Sequence, residues 1–581
     1  MSDPKTMEHI TGYPSIDKPW LKYYSKRPED LVYPHQTMYQ YAWERNKDHL
    51  DEVVFQYFDR RITYRTFFRS VEKTAKSLTA MGINAGDIVT IMSMHTPETI
   101  YVIYGLNYIG AVANLVYPTL TEKELQKTIG ETDSKAFFVL NAVLNNNPDL
   151  IGNLQLPVII LNVQESMPLP VKLGFQIKSK RGKKPVFREA MDYRSFLKKG
   201  TNITETALAG DPEAPAVIVH TSGTTGEPKG VVISSDSICN LSVQHLNGLI
   251  QFGRGKKMLF VLPPFIGFGM THLHIYMSAG IRLILHIDLE PHSVIRQLFK
   301  YRPYAYLSGP AFIPAFIEHR PGNLQNLKYL IGGGGSITEE QMKAVNELLQ
   351  KCGSTATYSN GYGMTEACSS FTVNVNPKHK KESVGLPWVD TVIKVINPEN
   401  GVELKYGEIG ELWFHTSNLM LGYFNDKEAT DEIIVTDKEG RKWLRTGDLG
   451  CVDEDGFVFL KGRIKRIEYT RAEDGSILRL FPQHIEDVIK GNDSVLDCGV
   501  IVRDDIKRIR VSIAYITLTN NTADDDASKE RILQELYSYT KSELPAHMLP
   551  AEIHIIDKMP ITPSGKIDYI SLREMGLQKR N

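Results

Sequence analysis

The 581-residue chain carries 67 basic and 68 acidic residues, so its formal net charge at pH 7 is −1. A hydrophobic content of 42% and a charged content of 23% are ordinary for a globular protein. A chain of this length predicts two or more domains with large cores. The balanced charge gives no electrostatic footprint for nucleic acid, which excludes that class of partner.

The cysteines and the apolar stretches bear on the cellular compartment. The five cysteines are odd in number and widely spaced, with no Cys-x-x-Cys pair, which is typical of a reducing cytosol rather than of a disulfide scaffold or a zinc ribbon. Residues 1–18 lack the apolar core of a signal peptide. The most apolar long stretch, 101–117, contains Asn107 and Asn114 and falls short of a bilayer span. We expect a soluble, cytoplasmic protein with no transmembrane segment.

Predicted strands and helices alternate along the first part of the chain. A strand over 87–93 is followed by a helix over 96–109, and further strands are predicted over 136–140, 157–163, 257–262, 281–286, 304–307 and 329–331. Alternation of this kind predicts a layered α/β architecture with mostly parallel sheets.

The later part of the chain changes character twice. From about residue 393 the strands shorten and turns multiply, which predicts a small β-rich subdomain. From about residue 466 the chain has its own strands (498–502 and 511–518) and a charged helix around 529–544. We therefore predict a large N-terminal domain over 1–465 and a small, mobile α+β lid domain over 466–581.

A basic run over 178–184 follows an apolar stretch. It is compatible with contact to an anionic membrane surface, with binding of a CoA phosphate, or with simple exposure to solvent. Because charge runs are most often merely exposed, a solvated surface loop is the favoured interpretation.

A loop rich in glycine and hydroxyl groups follows an apolar strand over 216–219. Glycines let backbone N–H groups approach an anion closely, hydroxyls add donors, and a lysine adds positive charge. The loop comprises Thr221, Ser222, Gly223, Thr224, Thr225, Gly226, Glu227, Pro228, Lys229 and Gly230. It is not the Walker pattern, which spaces its glycines differently. The loop predicts a site for a nucleoside triphosphate.

Further segments carry complementary chemistry in a fixed order. In the run 360–366, Tyr362 is suited to stack on a purine, Thr365 to donate to a phosphate, and Glu366 to hold Mg²⁺ through oxygen. Downstream, Asp448 supplies a carboxylate suited to ribose hydroxyls. Lys566 stands on a loop framed by proline and glycine near the C-terminus.

These motifs, in this order over residues 221–568, closely resemble those of the adenylate-forming superfamily, which holds acyl-CoA synthetases, nonribosomal peptide adenylation domains and firefly luciferase. In character the chain is closest to a bacterial-type ligase for fatty or other hydrophobic acids. The resemblance implies that ATP, Mg²⁺ and CoA are used in two half-reactions. A carboxylate attacks the α-phosphorus of ATP and releases pyrophosphate; the lid then rotates, and a thiol attacks the acyl carbon and expels AMP.

The resemblance also assigns roles to residues of this chain. The implied catalytic residues are Lys566, Thr365, Glu366 and Lys229, with Glu366 as the metal ligand. The implied ATP- and AMP-binding residues are Thr221, Ser222, Gly223, Thr224, Thr225, Gly226, Gly334, Gly335, Ser336, Asn360, Gly361, Tyr362, Gly363, Asp448 and Arg463. Lys465 and Arg466 are the implied hinge.

The chain departs from the family pattern on the acyl side. Ile266 replaces a histidine that is frequent in acyl-CoA synthetases, although His272 lies nearby as a candidate substitute. The segment also lacks the aspartate with which adenylation domains anchor an amino group, which argues against an amino-acid substrate. The predicted acyl pocket consists of Phe265, Ile266, Phe268 and Met270, and its apolar character favours a fatty, aromatic or similar acid.

A second departure follows the hinge. Arg466 occupies a position that is usually Asp or Lys, and the loop over 467–486 is longer and more charged than usual. The leading hypothesis is an ATP-dependent carboxylate–CoA ligase for a hydrophobic acid. Two alternatives stay open: an acyl-AMP ligase that loads the phosphopantetheine arm of a carrier protein, and an inactive homologue that only binds nucleotide. The complete charged set disfavours the inactive homologue.

Overall fold

The computed structural model describes residues 10–179, 190–221, 228–335, 337, 339–466, 468–472, 474–519, 525–562 and 566–578, with the backbone alone for 175–179, 308, 577 and 578. All statements on structure below refer to these residues.

The strands are, in chain order, β1 (Val53–Tyr57), β2 (Arg60–Thr63), β3 (Ile88–Met92), β4 (Val112–Leu115), β5 (Ala136–Leu140), β6 (Val158–Leu161), β7 (Ala190–Asp192), β8 (Pro215–His220), β9 (Gly230–Ser234), β10 (Lys257–Phe260), β11 (Arg282–Leu285), β12 (Ala305–Ser308), β13 (Tyr329–Gly332), β14 (Tyr358–Tyr362), β15 (Thr372–Asn374), β16 (Leu386–Pro387), β17 (Val392–Ile396), β18 (Gly410–His415), β19 (Gly422–Tyr423), β20 (Ile434–Thr436), β21 (Lys442–Val452), β22 (Val458–Arg463), β23 (Glu468–Arg471), β24 (Ile477–Leu480), β25 (Val495–Asp505), β26 (Ile509–Leu518) and β27 (Glu552–Ile555).

The α-helices are α1 (Pro14–Asp17), α2 (Met38–Asn46), α3 (Tyr64–Ala80), α4 (Pro97–Ile109), α5 (Glu122–Glu131), α6 (Asn141–Asn146), α7 (Leu169–Ser179), α8 (Tyr193–Lys199), α9 (Ser235–Leu246), α10 (Gly267–Ser278), α11 (Pro291–Tyr301), α12 (Ile313–Ile317), α13 (Glu339–Lys351), α14 (Lys427–Ile433), α15 (Pro482–Lys490), α16 (Asp526–Glu543) and α17 (Tyr569–Gln578).

Two large sheets form the N-terminal part. One has the strand order β19-β9-β8-β4-β3-β5-β6-β7 and the other β16-β15-β14-β13-β12-β10-β11-β1-β2. Their central strands are parallel, and antiparallel pairs such as β8 with β9 and β14 with β15 lie toward one end of each order. Strand β5 is buried along its whole length, as expected where helices cover both faces of a parallel sheet. The α/β fold class is confirmed.

Helix α4 shows how the sequence sets these layers. The side chain of Thr96 accepts the N–H of Thr99 at the N-terminus, Pro97 occupies the first turn, and Gly110 ends the helix with a φ of 76°. Nearly every residue between these ends is buried. The helix is therefore apolar on all sides, as suits a helix enclosed by protein.

The remaining strands form smaller sheets. Strands β17, β18, β21, β20 and β22 form the predicted β-rich unit, around a core that includes Phe371 and Phe414. Further along, β25, β26 and β27 form a separate sheet. The two hydrophobic clusters around this last sheet draw their buried residues only from position 480 onward. A C-terminal unit with its own core follows from this, while the boundary at 465/466 stays a prediction.

The predicted elements named above all occur, with ends that differ by a few residues. The predicted strands at 498–502 and 511–518 are parts of the longer β25 and β26, and the predicted helix at 529–544 is α16. The long charged segment that follows β22 contains a hairpin of β23 and β24 that the sequence did not predict.

Candidate active site

Strands from both large sheets end at one deep cleft. Strands β8, β13 and β14 are followed by Thr221, Gly333 and Gly363, and all three residues line this cleft. Ligands of open α/β sheets bind outside the carboxyl ends of the strands. The cleft has a volume of about 3070 Å³, and Lys566 from the C-terminal unit lines it as well.

The predicted phosphate loop connects β8 with the antiparallel β9. Its ends are joined by the N–H of Thr221, which donates to the carbonyl of Lys229 at 2.9 Å. Both residues line the cleft. The predicted members Ser222, Gly223, Thr224, Thr225 and Gly226 lie outside the described residues.

The ammonium group of Lys229 is held by two residues that the sequence analysis missed. Its Nζ lies 3.0 Å from Oδ2 of Asp426 and 5.0 Å from the centroid of the Tyr423 ring. The backbone N–H of Ala429 and the Lys229 ammonium lower the pKa of Asp426. In this structure Asp426 is therefore the ion-pair partner of the Lys229 ammonium group, a place that a bound phosphate would otherwise take. No motif in the sequence around 421–426 marks either residue.

The glycine-rich segment lies after β13. Gly334 has a φ of 82°, a conformation that side chains with a Cβ rarely adopt, and Gly334 and Gly335 line the cleft. A Cβ on Gly333 would lie 3.4 Å from the Phe268 ring. This backbone thus lies directly against the predicted acyl side. The predicted Ser336 lies outside the described residues.

Strand β14 brings the next predicted segment to the cleft. Asn360, Gly361, Tyr362 and Gly363 all line it. Oδ1 of Asn360 is buried and has no hydrogen-bond partner among the described residues. A Cβ on Gly363 would lie 2.2 Å from the carbonyl oxygen of Ser369, so only glycine fits this tight turn.

The turn leads directly to Thr365 and Glu366, which both line the cleft. Glu366 is 6% exposed, and its Oε1 accepts a hydrogen bond from the Tyr423 hydroxyl at 2.8 Å. Within the described residues no group of three or more His, Cys, Asp or Glu side chains is arranged to hold a metal ion. Mg²⁺ is commonly held by one or two carboxylates together with substrate phosphates. Glu366 fits that pattern as a single protein ligand.

Asp448 and Arg463 face each other across β21 and β22. Nε of Arg463 lies 2.7 Å from Oδ1 of Asp448, and the Tyr362 hydroxyl donates to Oδ2 at 2.5 Å. Burial, with a further contribution from Asp448, raises the pKa of Tyr362, which keeps its hydroxyl a neutral donor. Tyr362 therefore holds Asp448 in place through its hydroxyl, whereas its stacking on a purine stays a prediction.

Lys566 enters the cleft from the C-terminal unit. Two hydrogen bonds join its backbone to Thr562: its N–H donates to Oγ1 of Thr562 at 3.2 Å, and the N–H of Thr562 donates to its carbonyl oxygen at 2.7 Å. Solvent reaches the side chain, but surrounding protein lowers its pKa, as does the charge of Arg463. Glu366 and Asp448 act on that pKa in the opposite direction. Lys566 is therefore within electrostatic reach of all three charged groups.

Three of the four residues predicted for the acyl pocket line the cleft, while their contact with an acid stays a prediction. These three are Phe265, Ile266 and Phe268. Met270 is fully buried in the main hydrophobic core and does not line the cleft, so its prediction as a pocket residue is wrong. Helix α10 begins at Gly267, and two residues along a helix turn a side chain about 200° away from Phe268.

The same helix brings further residues to the cleft. His272 and Tyr276 follow Phe268 at intervals of four residues and line the cleft with it. His245 from α9 and Trp388 from the chain after β16 complete the wall. The helical spacing was a signal for His272 and Tyr276, whereas nothing local in the sequence marks His245 or Trp388.

The two predicted hinge residues make contacts on different sides. Nζ of Lys465 lies 3.9 Å from Oε1 of Glu432 in the N-terminal part. Arg466 makes two hydrogen bonds to Glu486, with Nη2 at 2.6 Å from Oε1, and lies 4.0 Å from the centroid of the Tyr569 ring. Lys465 thus contacts the N-terminal part, and the next residue, Arg466, contacts the C-terminal unit. This change of partner is compatible with a hinge between them, and the hinge assignment stays a prediction.

Two general expectations can be compared with the described structure. No described helix is both long enough and apolar enough to cross a membrane. The five cysteines are all free thiols. Helix α7 ends at Ser179, and most of the basic run, from 180 to 184, lies outside the described residues.

Comparisons with known proteins agree with this geometry. The family model described as AMP-binding enzyme matches residues 42–424, and its C-terminal domain model matches residues 484–566. The chain is 24% identical over 565 residues to a long-chain-fatty-acid–CoA ligase of Bacillus subtilis (strain 168), covering 95% of this chain and 96% of the relative. It is also 24% identical to 4-coumarate–CoA ligase 3 of Arabidopsis thaliana, covering 94% of this chain and 92% of that protein.

Solved structures share the fold. The anthranilate CoA ligase AuaEII in complex with anthranoyl-AMP superposes with a TM-score of 0.78 at 18% identity, covering 95% of this chain and 99% of that one. The o-succinylbenzoate CoA synthetase MenE of Bacillus subtilis, in complex with its acyl-adenylate, gives a TM-score of 0.73 at 21% identity, covering 92% and 97%. The family models together cover most of the chain, and the predicted motifs meet at one cleft. The chain therefore belongs to the AMP-binding enzyme family, as an adenylate-forming ligase.

Proposed function

We propose that the protein is an ATP-dependent carboxylate–CoA ligase that acts on a hydrophobic acid. The observation that carries this proposal is the convergence, in one cleft, of Lys566 with Glu366 and the Asp448–Arg463 pair, directly beside a wall of aromatic rings. The charged side suits a nucleotide, and the ring-lined side suits an apolar acid.

In the first half-reaction a carboxylate oxygen bonds to the α-phosphorus of ATP while the bond to the β-phosphate oxygen breaks and pyrophosphate leaves. Two anions must meet for this step, so the site needs positive charge more than it needs a base. Lys566 supplies that charge at the acyl carboxylate and α-phosphate, and Lys229 supplies it at the leaving pyrophosphate. Asp448 accepts hydrogen bonds from the ribose hydroxyls.

Mg²⁺, when bound, neutralises the triphosphate. Glu366 is the residue that would hold it, and the Tyr423 hydroxyl, 2.8 Å from Oε1, fixes the orientation of that carboxylate. Thr365, next to it in the cleft, donates to a phosphate oxygen.

In the second half-reaction the sulfur of a thiol bonds to the acyl carbon, the bond from that carbon to the AMP oxygen breaks, and the thiol proton passes to solvent. The chain resembles named CoA ligases over almost its whole length, which supports CoA as the acceptor. A carrier protein remains the alternative acceptor because the charged segment after Arg466 contains the additional hairpin of β23 and β24. A cytoplasmic location stays a prediction based on the dispersed free thiols.

The test is product analysis with purified protein. A panel of carboxylic acids is incubated with ATP and Mg²⁺, and pyrophosphate, AMP and thioester are measured with CoA, with a phosphopantetheinylated carrier protein, or with neither. We expect pyrophosphate release with hydrophobic acids and AMP release only when CoA is added. Thioester on the carrier protein alone would establish the alternative acceptor. No acid-dependent pyrophosphate release with any acid would contradict the proposal.

A further inference from the structure

The acyl side of the cleft is not uniformly apolar. Three buried side chains with hydrogen-bonding atoms line it side by side: His245, His272 and Tyr276, which are 6%, 3% and 1% exposed. The ring centroids of His245 and His272 are 5.1 Å apart, and those of His272 and Tyr276 are 5.7 Å apart. We call these three side chains the polar cluster.

The hydrogen bonds of His272 determine which of its nitrogens is available. Nδ1 lies 3.0 Å from the carbonyl oxygen of Phe268. A carbonyl oxygen only accepts, so Nδ1 carries the hydrogen and Nε2 is left as an acceptor. Burial lowers the pKa of His272 to about 3, so the ring is neutral at physiological pH. Nε2 has no partner within the described part of the chain.

The other two members are also unsatisfied. Nε2 of His245 is buried without a partner among the described residues, and its ring lies against Trp388 with centroids 4.0 Å apart. The structure records no partner in its described residues for the Tyr276 hydroxyl. In contrast, the buried hydroxyl of Tyr64 donates to the carbonyl of Met277 at 2.6 Å.

A buried polar atom without a partner is costly, and Nε2 of His245 is such an atom. The side chains of His272 and Tyr276 are almost entirely buried beside it, and both line the cavity. The polar cluster lines the cavity that would hold the acid, so a ligand can supply the missing partners. A hydroxyl group fits best, because it donates to Nε2 of His272 and accepts from Tyr276 at the same time. A plain hydrocarbon would leave these groups desolvated and unpaired.

We propose that the substrate of this site is a hydrophobic acid that carries a hydroxyl group remote from its carboxylate, and that His272 and Tyr276 recognise this hydroxyl. This inference rests on the proposed function and narrows its substrate class. The polar cluster lies on the ring-lined wall of the cleft, where the Phe268 ring contacts that of His272. The body of the acid therefore packs against aromatic rings while its distal end is hydrogen-bonded.

The experiment compares matched pairs of acids that differ only by the hydroxyl: 3-phenylpropanoate with 3-(4-hydroxyphenyl)propanoate, and decanoate with 10-hydroxydecanoate. The readout is kcat/KM for acid-dependent pyrophosphate release. In the unmodified enzyme we expect the hydroxylated member of at least one pair to be preferred by about a hundredfold or more, since a site built to bind a hydroxyl strongly rejects an analogue that lacks it.

Two variants and one control complete the test. His272→Leu and Tyr276→Phe should each reduce the preference for the hydroxylated acid by about tenfold or more. Phe268→Leu should change kcat/KM by the same factor for both acids of a pair, so that the preference is kept. The thermal midpoint of each variant shows whether it folds, and Tyr276→Phe removes only the hydroxyl oxygen. Equal use of both members by the unmodified enzyme, or an undiminished preference in folded Tyr276→Phe, would overturn the inference. Absence of pyrophosphate release with every acid would instead refute the proposed ligase function.

Discussion

The two sides of the cleft are built in opposite ways. On the nucleotide side, charged groups are already paired within the protein: Asp448 with Arg463, Lys229 with Asp426, and Glu366 with the Tyr423 hydroxyl. On the acyl side, Nε2 of His245 is buried without a partner among the described residues, and it lies among the aromatic rings that line the cleft. The charged groups of the first side are paired before a substrate arrives, whereas we infer that the neutral polar groups of the second side find their partner in the ligand.

The difference has a physical cause. A charge can be kept in a cleft only with a partner, because an unpaired buried charge costs several kcal/mol or more. A neutral imidazole or phenol is less costly to leave unpaired, so it can be reserved for a ligand. We therefore expect substitutions on the nucleotide side to affect catalysis with every acid, and substitutions on the acyl side to change the choice of acid.

The largest expected effect is that of Lys566→Ala. Removing the lysine charge from the reacting oxygens should lower acyl-adenylate formation by about a thousandfold, at the upper end for loss of one electrostatic group. Pyrophosphate release in a single turnover measures this step. Conversion of supplied acyl-adenylate and CoA to thioester should continue, because no phosphoryl transfer is involved.

The matched control is Lys541→Ala, which removes an exposed lysine of the same C-terminal unit on α16 and should leave both steps unchanged. If Lys566→Ala slowed adenylation and thioester formation equally, the assignment of Lys566 to the first step alone would be wrong.

A smaller effect is expected for Glu366→Gln, which keeps the shape of the side chain but removes the charge that would hold Mg²⁺. Adenylation should fall by about a hundredfold, and the dependence of the rate on Mg²⁺ concentration should shift to higher concentrations. Tyr423→Phe retains the carboxylate and loses only its orienting hydrogen bond, so its rate should lie between those of Glu366→Gln and the unmodified enzyme. A normal rate and metal dependence in Glu366→Gln would remove Glu366 from the site.

On the acyl side, Phe268→Ala should alter selectivity rather than chemistry. Widening the pocket should favour bulkier acids, with changes of about 1–3 kcal/mol per methylene-sized difference in the acid, read from the ranking of kcat/KM values. Met270→Ala is the informative comparison, because Met270 lies two residues away but faces the core. It should lower the thermal midpoint, as a buried Met→Ala typically costs about 2–5 kcal/mol, and leave the ranking unchanged. A changed ranking in Met270→Ala, with an unchanged ranking in Phe268→Ala, would mean that Met270 and not Phe268 faces the pocket.

The last prediction concerns the dependence of stability on pH and involves no change in catalysis near neutral pH. The pKa of His272 is lowered from 6.5 to about 3 by burial, so at acidic pH the unfolded chain binds a proton that the folded chain does not. The stabilising contribution is complete above about pH 6.5 and is lost as the pH falls toward 3, by at most about 1.4 kcal/mol per pH unit. His272→Leu should flatten the dependence of the thermal midpoint on pH below 6.5. His292→Ala removes a histidine whose side chain is 58% exposed and should leave that dependence unchanged; equal slopes in all three proteins would contradict the prediction.

The same contrast explains what could be predicted from the sequence. The charged residues stand in short segments with a fixed local pattern, so Glu366, Asp448 and Lys566 could be singled out as candidates, and all three line the one cleft. Their roles stay predictions. The alternation of strands and helices predicted the α/β class and the ends of elements such as β5. Met270 was misassigned because proximity in sequence was taken as proximity to the pocket, although the helical period places it on the opposite face from Phe268.

Other residues had no local signal at all. His245 belongs to α9 and Trp388 to a segment well over a hundred residues later, and only the packing of α9 against that segment brings their rings together. Asp426 and Tyr423 likewise meet Lys229 and Glu366 through the short pairing of β19 with β9. Contacts of this kind depend on tertiary structure, which the period of a single segment does not encode.

The opposed contacts of Lys465 and Arg466 have a mechanical consequence. The Arg466 side chain is embedded among Glu486 and Tyr569 and must travel with them as one rigid piece. The Lys465 ammonium, by comparison, makes a long, exposed contact with Glu432 that costs little to release. We therefore predict that rotation of the C-terminal unit is concentrated in the few backbone torsions at and before Arg466, chiefly the ψ angle of Lys465 and the φ angle of Arg466. Rotation about so few torsions would give the C-terminal unit a single axis, and we predict that Lys566 moves out of the cleft on an arc about that axis.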